Sequence, residues 1–211
     1  MRLLVKGEPA SFATAREKIW KQVLNSTISP YKGKHMYTGI ALKFILSEDK
    51  FTDLDNLVEP VLAVLVGEKK YFSGRRPNIQ WWYAEKTTDR QTGVELELSN
   101  SVPRIKGWGI FSGVYTGLFP KSATSEELPQ WLIAQGFQKR THQTFGIHLV
   151  FPQKVNIGDI ATGVVKSTID CLWPVIGGKP GAPEDWRIVE MLVEKSPYCA
   201  ENRIEIKIYA K

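Results

Sequence analysis

Short stretches in which apolar and polar residues alternate are separated by runs with helical spacing, and this pattern predicts a mixed α+β fold. The first stretch, RLLVKG from Arg2, reads as a strand, and TAREKIWKQVLN over residues 14–25 reads as a helix. A second strand begins at Gly39, and the apolar run from Leu57 to Leu65 predicts a second helix. Two further strands, NIQWWYAEK and GVELEL, complete this half of the chain.

The same order of elements returns after SNSVPRIKG, a polar segment with the composition of a linker. WGIFSGVYTG predicts a strand and TSEELPQWLIAQ a helix, which should start at the capping-box spacing of Thr124 and Glu127. A strand from Gly146, a helical run, and the strands RIVEMLVEK and RIEIKI follow. The glycine-rich segment VIGGKPGAPED lacks a phosphate-loop pattern and is predicted to be a loop.

The two halves align at a nearly constant spacing. Gly39 corresponds to Gly146, Leu57 to Val164 and Leu65 to Leu172, and the members of each pair are separated by the same offset in sequence. We therefore predict two similar strand-helix-strand-helix-strand-strand units, residues 1–100 and 106–211, that form an intramolecular pseudo-twofold dimer within a monomeric chain. The alternative is chance similarity between two ordinary α+β domains.

Composition and charge narrow the functional classes. A net charge of +6 over 211 residues favours a polyanionic partner, and 43% hydrophobic residues are enough for a packed core. Two cysteines without a C-x-x-C spacing give no disulfide framework. The sequence has no apolar run of membrane-spanning length, and MRLLVKGEPA is too soon polar for a signal peptide. We expect a cytoplasmic protein without a membrane span.

Asp53, Asp55 and Asn56 stand immediately before the apolar run of the second predicted helix. One interpretation is helix-start chemistry, in which Asp55 or Asn56 accepts hydrogen bonds from backbone N–H groups. The other is that Asp53 and Asp55 are hard-oxygen ligands, because Mg²⁺ needs only one or two protein carboxylates. Such an ion polarises a phosphodiester and lowers the pKa of a bound water.

The stretch DLDNL before an apolar helix, followed by a strand ending in lysine, resembles the RusA family of Holliday junction resolvases. The family pattern is Asp-x-Asp-Asn, Lys three residues later, Asp four residues after that Lys, and an acidic pair before the next strand. The resemblance implies small α+β subunits that act as homodimers. It also implies a magnesium-dependent endonuclease that cuts symmetrically across a four-way DNA junction.

The family pattern is divided between the two halves. The first half has Asp53, Asp55 and Asn56, but the later positions read Glu59, Ala63, Arg75 and Arg76. The second half has the complement, Lys166, Asp170, Glu184 and Asp185, but its first motif reads Ile160, Ala161, Thr162 and Gly163, with Asp159 one step out of register. Neither half holds a full set of site residues, and together they hold one.

Three hypotheses follow from this division. In the first, one composite site forms, with Asp53, Asp55, Lys166 and Asp185 as catalytic residues and Asp53, Asp55, Glu184 and Asp185 as Mg²⁺ ligands. The resemblance implies that both acidic motifs of one unit serve the same site, so a composite must bridge two clusters. In the second, both sites have decayed and the protein binds branched or duplex DNA without cutting it. In the third, the fold serves as a protein-interaction scaffold.

Basic residues supply candidate contacts to a DNA backbone, and they fall in two predicted loops. These candidates are Lys69, Lys70, Arg75 and Arg76 in EKKYFSGRR, and Lys139 and Arg140 in FQKRTH. The alternative is that these charges only face solvent. Trp81 and Trp82 could stack bases, but packing within the sheet explains them at least as well. His148 is expected to be a packed or hydrogen-bonded strand residue.

Overall fold

Eight strands form one mixed sheet in the computed structural model, which describes residues 1–31, 37–48, 51–67, 79–136 and 144–211. In chain order the first half contains β1 (Arg2–Lys6), α1 (Glu17–Ile28), β2 (Gly39–Leu46), α2 (Leu54–Gly67), β3 (Trp81–Thr88) and β4 (Gly93–Ser99). The second half contains β5 (Trp108–Thr116), α3 (Glu127–Ala134), β6 (Phe145–Pro152), α4 (Val164–Asp170), α5 (Trp173–Ile176), β7 (Gly178–Lys179), β8 (Ala182–Pro183), β9 (Ile188–Ser196) and β10 (Arg203–Ala210).

The strand order in the large sheet is β1-β4-β2-β3-β9-β6-β10-β5. The pairs β2–β3 and β6–β9 are parallel, and the other five pairs are antiparallel. The four strands of the first half are contiguous, as are the four of the second half. They meet at the antiparallel pair β3–β9, so one sheet runs through the whole chain.

Alternation of apolar and polar residues decides which face of the sheet is buried. In β2 the side chains of Ile40, Leu42, Phe44 and Leu46 are buried, whereas the residues between them are partly exposed. This is the period of a strand with one face on the core. Helix α2 packs against β3 and β9 at the centre of the sheet. The mixed α+β class predicted from the sequence is confirmed.

The joint between the halves is apolar and continuous with the core. Trp82 is fully buried, and its indole N–H donates a hydrogen bond of 2.8 Å to the carbonyl of Ile157 in the other half. A single hydrophobic cluster contains residues from both halves, among them Leu62 and Ile169. Packing therefore accounts for Trp81 and Trp82, both of which lie in the interior.

Two local predictions need correction. The predicted capping box is wrong, because α3 begins at Glu127 with Glu126 at the N-cap and no side-chain capping bond. The Thr124 hydroxyl lies 3.0 Å from that of Ser122, and Glu127 contacts the Tyr115 hydroxyl instead. The segment predicted as a loop contains the short pair β7–β8, and a 3₁₀ turn at Asp185–Arg187 begins at its last residue. Among helices in the described ranges, none combines the length and apolarity needed to cross a membrane.

Candidate active site

Asp53 and Asp55 lie where β2 gives way to α2. Asp55 is in the first turn of the helix and only 1% exposed, because it faces the second half of the chain. The side-chain amide of Asn56 donates a hydrogen bond of 2.8 Å to Asp53 Oδ2, which fixes that carboxylate. Asp55 and Asn56 therefore lie inside the helix and not at its N-cap, and helix-start chemistry does not account for the burial of Asp55.

The second half brings a lysine and two carboxylates to the same place. Lys166 lies on α4, and its Nζ is 3.1 Å from Asp170 Oδ1 and 2.9 Å from Asp185 Oδ2. The same Nζ lies 3.0 Å from Asp55 Oδ2 of the first half. We call Asp53, Asp55, Lys166, Asp170 and Asp185 the central cluster. The central cluster contains acidic residues from both halves, and Lys166 contacts Asp55 of the first half and Asp185 of the second. The two groups of acidic residues are therefore close enough to form one site.

Burial, together with the crowding of negative charge, shifts the pKa values of the cluster. Burial raises the pKa of Asp53 to about 7, aided by repulsion from Asp185, a hydrogen bond to Asp185 and repulsion from Asp55. Burial likewise raises the pKa of Asp170 to about 6, although Lys166 opposes this shift. Burial alone would lower the pKa of Lys166, but attraction to Asp55, Asp185 and Asp170 reverses this and raises it. The lysine is therefore a fixed cation among carboxylates that resist ionisation together.

The chemistry of this donor set suits a hard divalent cation. Asp55 Oδ2 is buried and, among the described residues, has no partner with hydrogen-bond geometry, although Lys166 Nζ lies 3.0 Å away. Carboxylate oxygens are the ligands that Mg²⁺ prefers, and a cation would relieve the repulsion that raises the pKa of Asp53. Within the described ranges, no group of three or more His, Cys, Asp or Glu has ready metal-binding geometry. The Lys166 ammonium lies among the carboxylates and supplies the positive charge.

Lys86 holds together the two loops that carry the acidic residues. This lysine, near the end of β3, is largely buried, and its Nζ donates hydrogen bonds of 2.6 Å to the Thr52 carbonyl and 2.7 Å to the Trp186 carbonyl. Thr52 precedes Asp53, and Trp186 follows Asp185. The sequence marks Lys86 only as the end of a strand, because the link across the halves depends on the packed sheet.

An aromatic pair lies beside the central cluster. Phe51 and Trp186 pack edge to face, with ring centroids 4.8 Å apart and an interplanar angle of 81°. Phe51 is 71% exposed and has a φ of 53°, an unfavourable backbone conformation for a bulky residue. Exposed aromatic rings next to a polar site can stack on a nucleobase.

Glu184, a predicted metal ligand, is held by a different partner. Its Oε2 lies 3.3 Å from Arg187 Nη1 in a 3₁₀ turn, and the guanidinium of Arg187 also lies over the ring of Phe145. Of the acidic pair, only Asp185 joins the ion pairs with Lys166. His148 lies in β6 and pairs with Glu194 at 2.8 Å, which confirms it as a hydrogen-bonded strand residue.

The corresponding place in the other half is built differently. Glu59 aligns in sequence with Lys166, and its Oε2 accepts hydrogen bonds from the backbone N–H groups of Ile160 at 3.0 Å and Ala161 at 3.1 Å. These residues occupy the positions of Asp53 and Leu54 in the other half. The predicted DNA contacts Lys69, Lys70, Arg75, Arg76, Lys139 and Arg140 all lie outside the described residues.

No protein-family model matches the chain, and no curated protein matches it. The resemblance to the RusA family therefore stays a prediction from the sequence. Any function for the central cluster has to be argued from its own chemistry.

Proposed function

We propose that the chain arose by duplication and forms an intramolecular pseudo-twofold dimer of residues 1–100 and 106–211. The strand order supports this, since β1-β4-β2-β3 is followed by the counterparts in reverse, β9-β6-β10-β5. The register at the joint agrees. Alignment of NIQWWYAEK with RIVEMLVEK at their final lysines makes Leu192 the counterpart of Tyr83, and the structure pairs these two residues. A twofold axis would pass between them.

We infer that the central cluster is the active site of a magnesium-dependent endonuclease acting on DNA. The observation that carries this proposal is the position of Lys166, within 3.0 Å of both Asp55 from the first half and Asp185 from the second. The two parts of one motif, which lie far apart in the sequence, meet at one point. A structural ion pair needs only two charges, whereas this cluster contains four carboxylates and one lysine.

The roles of the residues follow from their chemistry. Asp53, Asp55 and Asp185 would hold Mg²⁺, and the bound ion would activate water and neutralise charge on a phosphodiester. Lys166, fixed by its carboxylate neighbours, can donate hydrogen bonds to a non-bridging phosphate oxygen. Hydrolysis adds the water oxygen to phosphorus and breaks one P–O ester bond. It leaves a phosphate monoester and a hydroxyl, and the proton of the water passes to solvent or to the leaving oxygen.

The nature of the chain agrees with a DNA partner. Its net charge of +6 favours a polyanion, and the family resemblance points to branched DNA. The proposed duplication would let a monomeric chain supply both halves of the family's homodimer. Cys171 and Cys199 are both free and buried, which suits the reducing conditions of the cytoplasm. We place the protein there as part of the proposal.

Cleavage of a synthetic four-way junction tests the catalytic role. With Mg²⁺ the protein should cut the junction, and Asp55→Asn or Asp185→Asn should abolish cutting while junction binding persists. Asp159→Asn is the matched control. Asp159 is an acidic residue immediately before Ile160, which aligns with Asp53, and it lies outside the central cluster. Absence of cutting by the unaltered protein with Mg²⁺ or Mn²⁺ would contradict the proposal.

A second candidate is non-catalytic DNA binding through a decayed site. The three ion pairs of Lys166 favour it, because an ammonium that neutralises the carboxylates reduces their attraction for a metal ion. In that case junction affinity should fall steeply with salt and be indifferent to Mg²⁺ and to Asp55→Asn. If the protein had no affinity for junction, duplex or single-stranded DNA, both DNA-binding candidates would be excluded, and the protein-interaction scaffold would be the remaining hypothesis.

A further inference from the structure

We propose that this protein cuts one strand of its substrate in each binding event and so acts as a nicking enzyme. The inference rests on the proposed endonuclease function and specifies its product. It follows from a difference between the central cluster and the residues that align with it across the duplication. We call the second set the opposite place.

The first step compares equivalent positions. At the offset that aligns Gly39 with Gly146, Asp53, Asp55, Lys166 and Asp170 correspond to Ile160, Thr162, Glu59 and Ala63. At the slightly larger offset that aligns Lys86 of β3 with Lys195 of β9, Glu184 and Asp185 correspond to Arg75 and Arg76. Every carboxylate of the central cluster is thus matched by a residue that cannot ligate Mg²⁺ through a carboxylate. The acidic residue in the opposite set, Glu59, replaces the lysine.

The second step concerns what Glu59 does. Its carboxylate accepts hydrogen bonds from the backbone N–H groups of Ile160 and Ala161, at 3.0 and 3.1 Å. Lys166 contacts Asp55 in the first half. Glu59 makes the twofold-related contact, because it binds the segment of the second half that aligns with the Asp53–Asp55 motif. Both contacts join the two halves, but the side chain is a positively charged donor in Lys166 and a hydrogen-bond acceptor in Glu59. The opposite place therefore retains a structural contact, and the one acidic residue at its equivalent positions, Glu59, is engaged by backbone N–H groups.

The third step is geometric. A four-way junction presents two equivalent phosphodiesters related by a twofold axis, and paired cutting requires an active centre at each. With one centre at the central cluster, one P–O bond is hydrolysed while the opposite strand stays intact. The expected product is branched DNA carrying a single nick, with a phosphate monoester and a hydroxyl at its ends.

A supercoiled plasmid that extrudes one cruciform tests this inference. The protein is bound to the plasmid in EDTA, and cleavage is started with excess Mg²⁺ and an excess of unlabelled four-way junction that captures dissociated protein. Nicked circular DNA should accumulate without linear DNA, since a single binding event yields one cut. Asp159→Asn should give the same product, and Asp185→Asn should leave the plasmid supercoiled.

The outcomes separate the two proposals. Linear DNA formed as the main product under capture conditions would overturn the nicking inference while supporting an endonuclease. A plasmid that binds protein but stays supercoiled with Mg²⁺ and with Mn²⁺ would overturn the proposed function and the inference with it. Light scattering of the complex should find one chain per junction, and two chains per junction would supply two centres and overturn the inference.

Discussion

Two residues that align in sequence, Lys166 and Glu59, carry opposite charges and each contacts the other half of the chain. Lys166 contacts three carboxylates, and it opposes the burial and the repulsion from Asp185 and Asp55 that raise the pKa of Asp53 to about 7. Glu59 satisfies two backbone N–H groups that would otherwise lack these acceptors. Both side chains are partly buried, where a charge is stable only when it is paired or hydrogen-bonded. Each residue therefore stabilises the joint by a contact with the other half of the chain.

Replacement of Glu59 separates its charge from its hydrogen bonds. Glu59→Ala removes the acceptor of both bonds and should lower the free energy of unfolding by about 1.5–3 kcal/mol. Glu59→Gln keeps an oxygen that can accept them, so the loss should be smaller. Urea unfolding of the three proteins at one pH measures the difference. Equal losses for both variants would show that the charge, and not the hydrogen bonding, stabilises this contact.

The same variants predict a pH dependence. Burial raises the folded-state pKa of Glu59, so the folded protein holds this proton more tightly than the unfolded chain. The contribution of Glu59 to stability is therefore greatest below its unfolded pKa of about 4.3 and falls as pH rises toward the folded pKa. Glu59→Gln does not titrate at this position, so its free energy of unfolding relative to that of the unaltered protein should be higher at neutral pH than at acidic pH. Urea unfolding at the two pH values measures this difference. A constant difference would contradict a raised pKa.

At the scale of elements, the sequence predicted the strands and helices and named candidate site residues, but it did not show which of those residues lie together. Alternation in GIALKFIL and RIEIKIYA marks β2 and β10 because one face of each strand is buried. The family pattern named Asp53, Asp55, Lys166 and Asp185 as one composite site, but the sequence did not show that these residues meet. Lys166 and Asp185 reach Asp55 because β3 pairs with β9, and pairing between distant strands leaves no local signal in either strand.

Lys86 tests whether the two acidic loops must be held together. Lys86→Met removes hydrogen bonds to the carbonyls of Thr52 and Trp186, so Asp53 and Asp185 lose a common support. Cleavage at saturating DNA should fall by up to about 10²-fold, since a displacement of about 1 Å in a catalytic group can cost that much. The dissociation constant for DNA should change little if, as proposed, binding depends on contacts between basic residues and the DNA backbone.

Lys195→Met provides the matched control for Lys86. Lys195 occupies the equivalent position near the end of β9, and burial lowers its pKa. Because the opposite place carries no acidic motif in the sequence, this variant should cut at nearly the normal rate. Equal losses of cleavage in both variants, or a parallel loss of DNA binding in Lys86→Met, would show general destabilisation instead of a positioning role.

For the whole molecule, the sequence suggested two units, and the structure joins the two halves through one sheet and one hydrophobic cluster. Length and the linker-like SNSVPRIKG cannot distinguish two separate domains from one cooperative unit, because that depends on the apolar area between them. Trp82 and the β3–β9 pair lie at this joint. Unfolding either half would expose apolar surface on the other, and we therefore expect a single cooperative transition.

Leu62→Ala and Ile169→Ala test this cooperativity, because they remove buried side chains at equivalent positions in opposite halves. Each should lower the free energy of unfolding by about 2–5 kcal/mol, and each should shift the entire transition. Tryptophan fluorescence reports on indoles in both halves and circular dichroism on the backbone, so the two denaturation curves should coincide. If the halves instead folded independently, each substitution would displace only one of two phases. The central cluster would then lose its geometry before the more stable half unfolded.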